Sequence, residues 1–246
     1  AAFHDRRRSV CGHAAPLARC ALAPCRLEQG MDVVSVDALT RAVLDAGWPH
    51  SATLPLVSAV AEAYSSPPRA YHDLRHIEEL LGWYERVRTQ GPGWRAPHDV
   101  LCAVLYHDAI YVAGRSDNEA RSAQLAVAQI TRFGLPCDAP RVSALILATA
   151  RHGSELIDDA QDPDLAHFLD ADMAILGAPP ARFDAYERAI ATEYAAVPSE
   201  AFRAGRGRFL TRLLALPRLY QTSFFGSRLE STARANLARA SAALND

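Results

Sequence analysis

From Val36 onward the apolar residues return every three or four positions, and almost no run alternates at two. A period near 3.6 belongs to helices that bury one face, so the pattern predicts an all-α chain, a single-domain helical bundle. Punctuation divides it. A first helix is expected from about Ser35, a good N-cap, to Gly47 and Pro49, which stop it. A second spans roughly Leu54 to Tyr64 and ends in Ser65-Ser66-Pro67-Pro68, which cannot continue a helix. A third covers about Asp73 to Arg88 and breaks at Gly91-Pro92-Gly93, and a fourth starts near Pro97 and leads into His107-Asp108. After a loop through Gly114, Arg115 and Ser116, a long helix from about Asp117 to Phe133 is stopped by Gly134 and Pro136. Asp138 can cap a helix running to about His152, which a polar loop with Glu155, Asp158, Asp159 and Asp162 follows. Helices are then expected from Asp164 to Leu176, from Pro179-Pro180 to about Tyr194, from Glu200 to Leu214 and from Ser227 to Ala243. No repeat period emerges, and no linker is long enough to divide residues 36 to 243.

Residues 1 to 30 read differently. They carry Arg6, Arg7, Arg8, Arg19 and Arg26 with Cys11, Cys20 and Cys25, and no apolar period. Their apolar stretches are too short for a signal peptide or a membrane span, although an arginine-rich, acid-poor segment also suits an organellar transit peptide. Met31 opens an ordinary amphipathic helix, so residues 1–30 are read as an upstream extension or cloning remnant, disordered, ahead of a domain at 31–246.

The chain has 246 residues, 50% of them hydrophobic, enough for one sizeable core. Its formal net charge of -2 gives no field aimed at a nucleic-acid polymer or an anionic membrane. All 26 long basic side chains are arginine, so arginine marks a phosphate site only with local support. The amino-terminal cysteines lack zinc-finger spacing, and Cys102 and Cys137 lie in or beside apolar helical runs, which fits a reducing, cytoplasmic setting.

Three stretches put metal-ligand side chains where hydrocarbon is expected. His107-Asp108 closes the apolar run of Val100, Leu101, Val104 and Leu105, and a buried carboxylate needs a cation, hydrogen bonds or a raised pKa. His72 and His76 stand four apart at the start of the third helix, where they share a face; His76 continues into Glu79, Leu80 and Trp83 and points inward, as a ligand or as a satisfied core histidine. Asp172 interrupts the stripe of Leu165, Leu169 and Leu176, whereas Asp170 should lie off it, so Asp172 is the preferred ligand and Asp170 the alternative or a supporting group.

These residues carry a resemblance. Arg69-Ala70-Tyr71-His72-Asp73-Leu74-Arg75-His76, Tyr106-His107-Asp108-Ala109-Ile110-Tyr111, Asp117-Asn118-Glu119-Ala120-Arg121-Ser122-Ala123 and Leu169-Asp170-Ala171-Asp172-Met173-Ala174-Ile175-Leu176-Gly177 resemble the HD superfamily of metal-dependent phosphohydrolases. The likeness is closest to a bacterial subfamily whose substrate is unassigned, and it runs from about residue 36 to the carboxyl terminus. It implies an HD-type helical domain in which His76, His107, Asp108 and Asp172 hold one divalent ion, with Mn, Fe, Co, Ni, Zn and Mg not separated by residue type. It also implies a metal-activated water acting on a small phosphate ester, a nucleotide among the candidates. Asp108 then serves the chemistry as well as the ion, and Glu119 is the expected proton-transfer group, with helix-start capping by Asp117 and Glu119 as the plain alternative. Some HD hydrolases keep an acid closer behind the His-Asp pair, where this chain has Ala109, Ile110 and Tyr111. Arg69, His72 and His152 are expected on the substrate; His152 also suits a second ion, but His167 is expected to face away from the Asp172 stripe and one ion is favoured. Arg206 and Arg208 are weaker phosphate candidates, and Tyr186 and Tyr194 are expected in packing. The rival readings are a non-catalytic helical module with a structural metal and a di-iron oxygenase of the HD type.

Overall fold

A computed structural model describes residues 33–65, 69–153 and 160–245, and among them ten α-helices and no strand. Residues 1–30, the Ser66-Pro67-Pro68 stop and the acidic positions 155, 158 and 159 lie outside the described residues. The helices are α1 (Val33–Asp45), α2 (His50–Ala63), α3 (Leu74–Gln90), α4 (Pro97–Tyr106), α5 (Asn118–Phe133) and α6 (Ala139–Thr149). They continue with α7 (Pro163–Asp172), a 3-10 turn (Met173–Gly177), α8 (Pro180–Glu193), α9 (Ser199–Ala215) and α10 (Ser223–Asn245). No helix among the described residues is long and apolar enough to cross a membrane.

Local chemistry explains most of the boundaries. Pro97 and Pro180 open α4 and α8, where a missing N–H costs no hydrogen bond. Gly134, at φ +60°, closes α5 in the left-handed region that glycine enters without strain. Asp73 caps α3 by accepting from the Arg75 N–H, so the helix starts after His72 and leaves that residue in the preceding segment.

Other expectations are corrected. Ser35 is not an N-cap: α1 begins two residues earlier, and the buried Ser35 hydroxyl donates to Glu78 Oε2 of α3 at 2.7 Å. α2 starts at His50, with Pro55 inside it rather than in its first turn. α6 stops at Thr149, short of His152, and α7 tightens into the 3-10 turn after Asp172.

The hydrocarbon is gathered in two clusters, not the one expected from length. The first joins α1 to α6 through residues such as Leu39, Leu56, Ile77, Leu101 and Ile146. The second joins the end of α7 to α10 through Leu176, Phe183, Leu210, Tyr220 and Phe225. Between them runs α7, whose Phe168 and Leu169 belong to the first cluster and Ala171 to the second. Burial on all sides forces its polar residues to find partners inside the protein.

Several buried carboxylates find theirs in the backbone. Asp164 accepts from the N–H groups of Arg95 (2.9 Å) and Ala96 (2.7 Å) ahead of α4, and Asp99 accepts from Asp138 N–H (2.8 Å) ahead of α6. Asp170, expected off the buried stripe, is only 2% exposed. It accepts from the N–H groups of Gln221 (2.6 Å) and Thr222 (2.8 Å) and from the Thr222 hydroxyl (2.7 Å), tying α7 to the start of α10. Burial pushes its pKa up to about 7 against the pull of those donors.

The 3-10 turn is seated directly on α10. Asn236 Nδ2 donates to the carbonyls of Leu176 and Ala178 at 2.9 Å each, and a Cβ added at Gly177 would stand 2.6 Å from Leu229 Cβ. Gly177→Ala is therefore expected to destabilise the protein by about 1–3 kcal/mol in urea titration. Gly82→Ala, on an open face of α3 with nothing within 4 Å, should instead stabilise it by about 0.5–1 kcal/mol.

Candidate metal centre

Three helices deliver the cluster. His76 is the third residue of α3, His107 is the C-cap of α4 with Asp108 following it, and Asp172 is the last residue of α7. His76 Nε2 and His107 Nε2 face each other at 3.1 Å. Asp108 Oδ2 lies 3.2 Å from His107 Nε2 and 3.8 Å from His76 Nε2. Asp172 Oδ1 lies 3.2 Å from His76 Nε2 and 3.5 Å from His107 Nε2. The ligand atoms of His76, His107 and Asp108 all lie within 4.8 Å of one another, and Asp172 reaches both imidazoles beside them.

The donor set fits a divalent cation on geometry and on charge. Bonds of about 2.1 Å place neighbouring ligand atoms roughly 3.0–3.4 Å apart in octahedral or tetrahedral arrangements. Among the pairs that include an imidazole, separations of 3.1, 3.2, 3.2 and 3.5 Å fall in or close to that range, and the remaining one is 3.8 Å. His107 Nδ1 can only donate to the Val104 carbonyl at 3.1 Å, which leaves the Nε2 lone pair of the neutral ring facing the cluster. Burial disfavours a charged His107, but the Asp108 and Asp172 carboxylates offset this and hold its pKa well above the usual imidazole range. The same pairing holds both carboxyls well below theirs against the opposing effect of burial. Neither carboxylate accepts a backbone N–H among the described residues, so their charge is left to the imidazoles, or to an ion held between them.

The surroundings fix this geometry. Arg69, expected on the substrate, is turned inward instead. Its guanidinium donates to the carbonyls of His72 (2.8 Å), Asp108 (2.8 Å) and Ala109 (2.9 Å) and lies over the Tyr64 ring, so it clamps the ligand-bearing turn. Asn118 holds both backbone polar groups of Val112, and Ser122 does the same for Ile110. Asp117 pairs with Arg115 at 2.7 Å without a side-chain capping bond. Of that stretch, Glu119 is the residue that reaches the cavity described below, with no hydrogen-bond partner among the described residues.

His72 and His152 flank the cluster. His72 stacks on Tyr111, with its Nε2 3.9 Å from Asp108 Oδ2 and its Nδ1 2.7 Å from Glu193 Oε2. His152 Nε2 lies 2.6 Å from Asp172 Oδ2, the oxygen turned away from His76 and His107. His167 contacts the Pro163 carbonyl and the rings of Trp94, Phe224 and Phe225, away from the cluster.

Glu193 escaped sequence reasoning. In Ala191-Thr192-Glu193-Tyr194 it reads as a surface acid at a helix end, yet it is 3% exposed. Its Oε1 accepts from the N–H groups of Ala70, Tyr71 and His72, and burial is outweighed by these bonds and by His72, which hold its pKa at about 2. The only sequence signal available was its place on the Tyr186 and Ile190 side of α8.

Asp108 and Asp172 keep 15% and 12% of their side chains exposed, and both open on a cavity of about 470 Å³. His72, Glu119 and His152 line the same space, as do Tyr186, Tyr194 and Arg206. Arg206 donates to Tyr186 Oη at 3.0 Å and to both carboxylate oxygens of Glu187, while Arg208 is exposed. Compared with family models, with curated proteins and with solved structures, the chain shows no match.

Asp172→Ala should lose bound transition metal, measured by elemental analysis after gel filtration, and stay folded. Asp170→Ala should keep the metal but lose about 2–3 kcal/mol in urea titration, because the amides ahead of α10 lose their acceptor. Glu193 has a folded pKa below its unfolded value near 4.5, so its contribution is complete above about pH 4.5 and disappears as pH falls towards 2. Acid titration should show wild type losing on the order of 3 kcal/mol more than Glu193→Gln across that window.

Proposed function

We propose that the chain is a metal-dependent phosphohydrolase of the HD type, acting on a phosphomonoester. One observation carries the reading: two mostly buried carboxylates and two imidazoles converge without backbone donors among the described residues to neutralise the acids, and both carboxylates face a cavity. Structural metal sites are closed by protein ligands, whereas catalytic ones keep positions open to water and substrate. His76, His107, Asp108 and Asp172 would hold the ion, and two imidazoles favour Mn, Fe, Co, Ni or Zn over Mg.

A divalent cation bound there supplies Lewis acidity, polarising the phosphoryl group and acidifying water. Glu119, a carboxylate in the same cavity, takes one proton from the attacking water. The water oxygen forms a bond to phosphorus as the ester P–O bond breaks, and the departing alkoxide receives the proton that Glu119 had accepted. The products are the alcohol and inorganic phosphate. His72 and His152 stand beside Asp108 and Asp172 and offer ring N–H donors to phosphoryl oxygens. Arg206, among the described residues the guanidinium that lines the cavity, meets the substrate away from the phosphate, since Glu187 already pairs with it.

Protein loaded with manganese, cobalt or nickel should release inorganic phosphate from members of a phosphomonoester panel, and chelation should stop release reversibly. Glu119→Gln should lower kcat by about 10²–10⁴-fold while retaining metal. Absence of release from every compound by the loaded wild type sinks the proposal.

A further inference from the structure

We infer that this site takes a single phosphate carried on an apolar, preferably aromatic, body, in preference to a sugar phosphate or a nucleoside polyphosphate. The inference rests on the phosphohydrolase reading for the phosphate end and on the cavity wall for the rest. The cavity is larger than a phosphate needs, and its lining includes Ile175 of the 3-10 turn, Ile190 of α8 and Phe202 and Phe209 of α9, with Tyr186 and Tyr194 beside them; the first four side chains offer no polar atom. Sugar hydroxyls placed against those side chains would give up water without gaining donors or acceptors, whereas a ring or alkyl body would bury apolar surface on both partners.

Charge argues the same way. Asp108, Asp172 and Glu119 already bring three carboxylates to the cavity, against which a divalent ion offers two positive charges. The flanking imidazoles are engaged, His72 by Glu193 and His152 by Asp172. Arg206 is balanced by Glu187 and lies over the rings of Tyr186 (5.2 Å) and Phe209 (4.7 Å). One phosphate can use the ion and the imidazole donors. Each further phosphate would add negative charge with no unpaired cation on this wall among the described residues to receive it. A guanidinium lying over aromatic rings also extends the wall as a surface on which another π-system can stack.

The test reads binding rather than turnover. Manganese-loaded full-length protein is titrated calorimetrically with methylphosphonate, 1-naphthylmethylphosphonate, a ribose phosphonate and a non-hydrolysable ATP analogue. The naphthyl compound should bind about tenfold or more tightly than methylphosphonate, and the ribose compound and ATP analogue should show no such gain. Phe202→Ala and Phe209→Ala, both half-buried positions, should shrink the naphthyl margin while retaining wild-type helix content by circular dichroism. Equal affinity for methyl and naphthyl compounds, tighter binding of the ribose or ATP analogue, no binding by any of the four, or a margin that survives both substitutions would overturn the inference. The two claims fail separately. A naphthyl margin without phosphate release from 1-naphthyl phosphate sinks the hydrolase reading alone, and release from sugar phosphates without that margin sinks this inference alone.

Discussion

The constraint on which the centre of this protein depends is the placement of two carboxylates, Asp108 and Asp172, among imidazoles with no backbone N–H among the described residues to neutralise their charge. The other deeply buried acids show that the fold can supply such donors. Asp99, Asp164, Asp170 and Glu193 each accept from one to three main-chain amides. Those four acids act as staples between segments. The remaining two converge from α4 and α7 on the ring nitrogens of His76 and His107, and that difference in partners separates a site from a scaffold.

The staples surround the site. Arg69 draws the carbonyls of Asp108 and Ala109 onto one rigid plane, which fixes the turn after α4 more firmly than a flexible ammonium would. Glu193 anchors the segment that carries Tyr71 and His72, and through the 2.7 Å contact it also orients the His72 ring. Asp170 anchors α7 at the turn before α10, two residues from Asp172. Groups that never touch an ion thus govern the separations among those that would.

Helix identity was legible because its signals are local. Period, proline at first turns and glycine at ends are set by residues a few positions apart, and Pro97, Pro180 and Gly134 do what the chain suggests. Asp172 could be preferred because it breaks an apolar stripe. Less legible was anything decided by a partner distant in sequence. Ser35 looks like a cap until Glu78 is placed opposite it, Arg69 looks like a phosphate ligand until three carbonyls meet it, and Glu193 looks like a surface acid until the segment 70–72 folds against α8. Asp170 was expected outside the buried stripe because the reading gave α7 a solvent side, and the second hydrocarbon cluster removes that side. The same omission hid the aromatic wall of the cavity, to which the chain offers Tyr186 and Tyr194 only as packing residues and Phe202 and Phe209 with no role.

The position of α7 between the two clusters has a mechanical meaning. His76, His107 and Asp108 are carried by helices of the first cluster, while Asp172 ends the helix that passes into the second. An ion shared by these four side chains would act as a rivet across the seam, adding bonds to those that Glu193 and the Arg182–Glu79 pair already make there. Loading would then stiffen that seam, and slippage along it would be felt first as a change in coordination.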